Sequence, residues 1–271
     1  MKFADLHLHT RYSDGTYTPE QLVSAAHKAN LSCISVCDHD TVEAVDPVMA
    51  VAVNKGIEVV PGIELSAEIE GAEIHILGYY IDHKNAVLAA KLAELRQNRI
   101  ERIHRMLEKL NDLDIHIKPE TVFNLAQGGT VGRLHLARAM VQEKAVATSG
   151  EAFRKYIGDK SCAYAAGFRF TPRQAMELIV QAGGVPVLAH PYTVRDDAVI
   201  PQLVEWGLQG LEVYYPEHTQ SMINFYLDMA QRYRLLVTGG SDCHGKAKPE
   251  VQIGLIHLPY EYVELLQKAR P

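Results

Sequence analysis

The sequence predicts an α/β fold in which a mainly parallel sheet curls into a barrel. Three observations carry this expectation. Short apolar runs alternate with amphipathic helical stretches in both halves of the chain, the β-α-β pattern of a parallel sheet. Polar bursts rich in His, Asp and Glu sit at the ends of those runs, where an α/β barrel presents its functional groups. The length, 271 residues, suits one large barrel or a core domain with an insertion.

Taken in order, residues 2–8 form the first strand. Thr18-Pro19-Glu20 opens a helix: Thr caps the free N–H groups, Pro suits the first turn, and Glu complements the positive helix end. That helix runs to about Ala29, and residues 32–37 make a buried strand. A second helix runs through about Asn54 and stops before Gly56. Residues 58–60 are the third strand. Residues 65–69 and 73–81 flank Glu70-Gly71-Ala72, which reads as a hairpin. From Ala86 the character changes to one long helical pattern reaching Leu113, whose Lys, Arg and Glu between 91 and 109 read as a solvated face. Further helices, broken at Gly128-Gly129 and Gly150, continue to Tyr164. Residues 100–167 are therefore expected to be a helical insertion over the mouth of a core formed by 1–99 and 168–271. Thr171-Pro172 opens the next helix, to Ala182, followed by a strand at 185–189. A helix near 199–206, a strand at 211–214, a helix near 219–232, a strand at 236–238 and a last helix from Tyr260 complete the chain.

Composition narrows the function classes. A net charge of −6 does not grip long duplex DNA by electrostatics alone, though it permits a short anion held by metals and a few arginines. Cys33, Cys37, Cys162 and Cys243 form no C-x-x-C pair, as expected in a reducing cytoplasm. The chain opens on a strand-like run without a signal-peptide pattern, and no apolar stretch approaches the roughly 20 residues of a membrane span. A cytoplasmic location is the expectation.

His7-Leu8-His9 closes the first strand, and alternation puts both imidazoles on one face, where they can share a metal ion. Alone, H-x-H fits a surface role as well. Asp14, His39, Glu64, His75, His190 and the Asp242-Cys243-His244 burst change the balance, because each falls at the expected rim or in a strand leading to it. A capping or core-satisfying role explains any one of them; together they point to one cluster of several metal ions. His, Asp and Glu are hard-to-borderline ligands for divalent ions, and no thiolate pair accompanies them. Cys37 and Cys243 flank these residues, but no base partner marks either as a nucleophile. Trp206 and Tyr214 read as packing, and Tyr215 falls where it can line the site.

H-x-H-T from His7, S-D-G from Ser13, D-H-D-T from Asp38, P-G-I-E from Pro61, H-x-L-G-Y from His75, A-H-P from Ala189 and G-S-D-x-H from Gly240 occur in this order. The set resembles the motifs of the PHP (polymerase and histidinol phosphatase) family, and it spans the chain outside 100–167. The resemblance implies a distorted (β/α)7 barrel carrying a two- or three-metal phosphoesterase centre. It implies His7, His9, Glu64 and Asp242 on the first ion, and Glu64, His75 and His190 on the second, with Glu64 bridging. Asp14, His39 and His244 would hold the third ion and face substrate; some members carry His in place of Asp14. Glu64, His190 and Asp242 would act in catalysis as ligands of the activating ions. Manganese is the first expectation, with zinc, iron or magnesium also suited to such ligands.

Gly132-Arg133-Leu134-His135-Leu136-Ala137 resembles the G-R-P-H-x-A segment of a subgroup acting on nucleoside 3′,5′-bisphosphates and 5′-phosphorylated short RNA, with Leu134 in place of Pro. By itself the segment reads as a solvated helix start. With the resemblance, Arg133 offers a planar fork to a phosphate, with His135 beside it. Arg169 and Arg195 are further candidates for a second phosphate. The expected activity is therefore metal-dependent hydrolysis of a phosphate monoester: the 3′-phosphate of a nucleoside bisphosphate, with degradation of short RNA. In such a centre the ions bring a bound water near neutrality and offset phosphoryl charge. The alternatives are a histidinol-phosphatase-like enzyme, an amidohydrolase acting on a C–N bond, or a binding module. An amidohydrolase often uses a carboxylated lysine, and no Lys stands at a core strand end; a binding module would be expected to have lost ligands, and none is missing.

Overall fold

The computed structural model describes residues 2–271 apart from 71, 167–169 and 195. Its strands are β1 (Phe3–Leu8), β2 (Cys33–Val36), β3 (Glu58–Ile69), β4 (Ala72–Tyr79), β5 (Val185–Leu188), β6 (Gly210–Tyr214), β7 (Leu236–Gly239) and β8 (Leu258–Pro259). They form one sheet in the order β7-β6-β5-β4-β3-β2-β1-β8. Neighbours pair in parallel except where β4 meets β3 and β5, and where β8 meets β1. The sheet nearly closes into a barrel. The Asp242 N–H donates to the His7 carbonyl at 2.8 Å, and the His9 N–H to the Cys243 carbonyl at 3.1 Å. A Cβ on Gly240 would collide with the His7 backbone, so glycine lets the chain leaving β7 reach β1.

One expectation needs correction. Residues 58–60 and 65–69 are not separate strands but parts of β3, 12 residues long. Pro61 pairs with Val36 of β2, and from Gly62 the strand pairs antiparallel with β4. Pro61 has no N–H to donate, and a Cβ on Gly62 would run into the Ser35 side chain. The two residues that read as a break mark a change of partner within one strand. The hairpin joins β3 to β4 as expected, with Gly71 outside the described residues.

The helices are α1 (Pro19–Lys28), α2 (Val45–Val53), α3 (Ala86–Asn111), α4 (Pro119–Ala126), α5 (Arg133–Gln142), α6 (Ser149–Ala152), α7 (Pro172–Gln181), α8 (Val199–Glu205), α9 (Gln220–Tyr233) and α10 (Tyr260–Lys268). Thr18 caps α1 reciprocally with Gln21, as the Thr-Pro start predicts. Leu22, Val23 and Ala26 of α1 pack with Ile34 and Val36 of β2. Between β4 and β5 the described residues contain no strand. Ile103, Met106 and Leu110 of α3 instead join Val122, Leu136 and Met140 in a cluster of their own. Earlier turns of α3, through Leu88, Leu92 and Leu95, pack on the barrel side. Each fully buried Leu contributes about 1.5–3 kcal/mol, so one helix ties both bodies together.

The solvated face expected over 91–109 is also corrected at two positions. Arg99 and Arg102 are 5% and 3% exposed. Arg99 Nε meets Asp40 at 2.6 Å, and Arg102 Nη1 meets Glu73 at 2.5 Å. These carboxylates come from the barrel, so no local charge pattern could reveal the pairing.

Candidate metal centre

The strand ends deliver their polar side chains to one place, with Glu64 of β3 in the middle. Its Oε2 lies 3.2 Å from His7 Nε2, His9 Nε2 and His39 Nδ1. Its Oε1 lies 2.9 Å from His75 Nδ1 and 3.0 Å from His190 Nε2. Asp242 Oδ1 is 3.0 Å from His9 Nε2 and 3.5 Å from His244 Nδ1. Asp14 reaches His244 Nε2 at 3.2 Å and His39 Nε2 at 3.7 Å. Three groups have ligand atoms all within 4.8 Å: His7, His9, Glu64 and Asp242; His9, Asp14, His39 and His244; and His39, Glu64 and His75. The first coincides with an expected ligand set, and the second adds His9 to another. The third holds His39 where the expectation had His190, whose Nε2 nonetheless lies 3.3 Å from His75 Nδ1.

The donor set fits divalent ions. His9 Nε2 and His39 Nδ1 are buried without a hydrogen-bond partner among the described residues, which is costly unless something else satisfies them. Burial alone would raise the Glu64 carboxyl, but the imidazoles that face it, His75 and His7 among them, hold it well below the usual range. Burial likewise opposes charge on His9 and His75, yet the facing carboxylates push them up to about 9 and about 10. Burial dominates at His39 and holds it well below its ordinary value, so its lone pair stays available. Where ions bind, these groups would hold them.

Several residues that hold this cluster were not among the candidates. Glu212 of β6 accepts from His7 Nδ1 at 2.9 Å and from the His190 N–H at 2.8 Å. Glu73 lies 2.9 Å from His75 Nε2. A carboxylate on the outer nitrogen fixes the ring's tautomer and aim. Asp38 accepts from the Thr10 N–H at 2.7 Å and from Ser13 Oγ at 2.5 Å. Asp5 accepts from the N–H groups of Ser241 and Gly254 at 2.8 and 3.0 Å. The available signal was a lone acid inside an apolar strand, as in Leu211-Glu212-Val213. His190 and Asp242 have φ of 27° and 53°, a left-handed backbone that costs a non-glycine residue energy and is typical of functional rims. No lysine was expected at a core strand end, and none stands there among the described residues; Lys248 instead reaches the site from the loop after β7, its Nζ 2.9 Å from Asp242 Oδ2. Tyr215 donates to the same oxygen at 3.0 Å.

A cavity of about 280 Å³ opens on the cluster and is also lined by Arg133, Asp159, Tyr192, Tyr215 and Lys248. Arg133, at the start of α5, is tied on both sides, Nη1 to Asp159 at 2.6 Å and Nη2 to Glu73 at 3.1 Å. Its guanidinium lies over the rings of Phe153 and Tyr164. His135 sits in the first turn of the same helix. It is 1% exposed, and its Nδ1 accepts the Gly132 N–H at 3.1 Å. Burial pushes it down to about 4, and with Nδ1 accepting from Gly132 the ring carries its proton on Nε2. Arg169 and Arg195 lie outside the described residues. Trp206 packs against the barrel-side core.

The PHP domain matches residues 5–184 of this chain. The chain belongs to the PHP domain family. A 5′-3′ exoribonuclease from Haemophilus influenzae is 32% identical over 245 residues, covering 89% of each chain. A phosphoribosyl 1,2-cyclic phosphate 1,2-diphosphodiesterase from Eggerthella lenta is 32% identical over 251 residues, 89% of this chain and 94% of that one. A 3′,5′-nucleoside bisphosphate phosphatase from Chromobacterium violaceum is 29% identical over 256 residues, 92% of this chain and 90% of that one. A solved structure from Bifidobacterium adolescentis, described as a metal-dependent phosphoesterase, superposes with a TM-score of 0.89 at 32% identity, over 98% of this chain and 96% of that one. The sheet, nearly closed and flanked by helices, is the PHP fold, and this PHP protein is a metal-dependent phosphoesterase. No helix among the described residues is long and apolar enough to cross a membrane.

Proposed function

We propose that this PHP protein removes the 3′-phosphate of nucleoside 3′,5′-bisphosphates and acts on short 5′-phosphorylated RNA in the cytoplasm, with manganese at its centre. His7, His9, Glu64 and Asp242 would hold one ion, and Glu64, His75 and His190 a second. Asp14, His39 and His244 would take a third ion. Such ions supply a nucleophilic water at neutral pH and offset charge on the phosphoryl oxygens. The chain's own part is to aim the rings through Glu212 and Glu73, and to hold the rest of the substrate.

The observation that carries the substrate reading is the presence of Arg133 in the same cavity as the donor cluster. A nucleoside bisphosphate has two phosphates, and the cluster processes one. The other needs a cation that is not a ligand, and Arg133, supplied by the segment read as an insertion, has the planar fork for it. The names of the Chromobacterium and Haemophilus relatives support both substrate classes.

The test compares nucleoside bisphosphates, mononucleotides, histidinol phosphate, a cyclic phosphodiester and short 5′-phosphorylated RNA on manganese-loaded protein. Arg133→Ala should raise KM for the bisphosphate by about ten- to a hundredfold, the worth of a charge-assisted hydrogen bond. Hydrolysis of a chromogenic aryl phosphate should barely change. Equal loss on both substrates would mean that Arg133 serves the centre through Glu73, and the reading fails.

A further inference from the structure

The loop after β7 brings Lys248 back to the cluster six positions beyond Asp242, and the two oxygens of Asp242 face different ways. Oδ1 meets the histidines, at 3.0 Å from His9 Nε2. Oδ2 is turned from them and accepts Tyr215 Oη at 3.0 Å and Lys248 Nζ at 2.9 Å. An ammonium carries three donors, and Asp242 takes one. The Lys248 side chain is 33% exposed, and it lines both the main cavity and a smaller recess of about 150 Å³ beside Asp14, Arg99 and Gly132. Among the described residues, two cationic side chains that are not candidate ligands line the main cavity, and they differ in position. Arg133 stands off the cluster, bonded to Glu73 and Asp159. Lys248 touches a member of it.

We propose that Lys248 binds a non-bridging oxygen of the phosphoryl group held at the metal cluster, leaving Arg133 for the remainder of the substrate. The ligand class is a phosphate monoester dianion, or the inorganic phosphate it releases. A lysine serves here because it adds positive charge beside Asp242 without occupying a ligand position, and its flexible stem lets the ammonium follow the group as charge shifts. The inference rests on phosphoesterase chemistry and not on the bisphosphate reading, so it survives if the substrate proves to be another phosphate ester.

The experiment titrates inorganic phosphate, by calorimetry, into manganese-loaded wild-type protein and Lys248→Met, Lys248→Arg and Tyr215→Phe variants. Manganese is titrated separately into the metal-free forms. Lys248→Met should weaken phosphate by about ten- to a hundredfold with manganese affinity little changed, and Lys248→Arg should recover most of the loss. Tyr215→Phe removes the other donor to the same Asp242 oxygen and should leave phosphate affinity close to wild type. Unchanged phosphate affinity in Lys248→Met overturns the proposal. So does an equal loss in Tyr215→Phe, which would mean that both act through Asp242. So does tighter manganese binding in Lys248→Met without loss of phosphate, which would mark Lys248 as a stand-in for the ion.

Discussion

The barrel rim and the helical wall face one cavity but treat charge in opposite ways. At the rim, imidazoles and carboxylates from β1, β3, β4 and the loops after β1, β2, β5 and β7 point at one another, and His9 Nε2 and His39 Nδ1 remain without hydrogen-bond partners among the described residues. At the wall, Arg133 is held between Glu73 and Asp159, and His135 is spent on the Gly132 N–H. The histidines divide within the rim, where carboxylates hold His9 and His75 up while burial holds His39 down, and at the wall burial holds His135 down. A cluster that cannot satisfy itself calls for a third party, and its affinity for that party depends on protonation. A wall that already satisfies itself recognises a ligand only by exchange, so its selectivity depends on what the ligand must displace.

The largest effect should come from breaking the rim. Glu64→Ala removes the carboxylate that faces five imidazoles and should lower turnover on the order of a thousandfold or more, with loss of bound metal while the barrel still folds. Metal analysis and turnover on one sample check it. Full activity at unchanged metal content would dissolve the contrast between rim and wall.

Next in size is the pH dependence of metal uptake. In the ion-free protein burial disfavours charge on His9 and His75, but Glu64 and its fellow carboxylates raise them to about 9 and about 10. Both carry a proton at pH 7, and an ion binds only the neutral ring. Metal affinity should therefore rise with pH by about tenfold per unit for each proton displaced, and level off above about pH 10. Proton release counted by calorimetry in two buffers checks the sign. Metal uptake without proton release would refute the charge state assigned to the rim.

The smallest effect sharpens the wall. Asp159 is 34% exposed and competes with any anion for Arg133 Nη1. Asp159→Asn should lower KM for a nucleoside bisphosphate by about two- to fivefold, the modest worth of a solvent-screened pair, and leave an aryl phosphate unaffected. Steady-state kinetics on the two substrates decide it. An unchanged or raised KM would show that Asp159 positions the guanidinium instead of competing for it.

Much of the rim was legible in the linear order of residues. His7 and His9 share a face because strand side chains alternate, and the bursts at Asp14, His39 and Asp242 follow strand ends, whereas Glu64 lies inside β3. The continuity of β3 was not legible, because Pro61-Gly62 looks the same whether a strand stops or changes partner. Arg99 and Arg102 were misread because their acidic partners lie in Asp40 and Glu73, far away along the chain. The burial of His135, which lowers it to about 4, was not legible either, because its neighbours in sequence do not reveal it.

The sequence by itself determined the β-α-β order, the hairpin between β3 and β4, the helical character between β4 and β5, and the residue types of the cluster. Those properties follow from periodicity, capping and side-chain chemistry, which act over a few residues. Only the tertiary structure decided that Glu64 is the hub, that Glu212 and Glu73 hold the rings behind it, and that Lys248 and Arg133 enter one cavity. Closure of the sheet between β1 and the end of β7 brings residues more than two hundred positions apart within hydrogen-bonding distance, as where Ser241 donates to Asp5. Electrostatic energies fall off with separation in space and with screening, so the partner of each charge was set by the fold and not by its place in the chain.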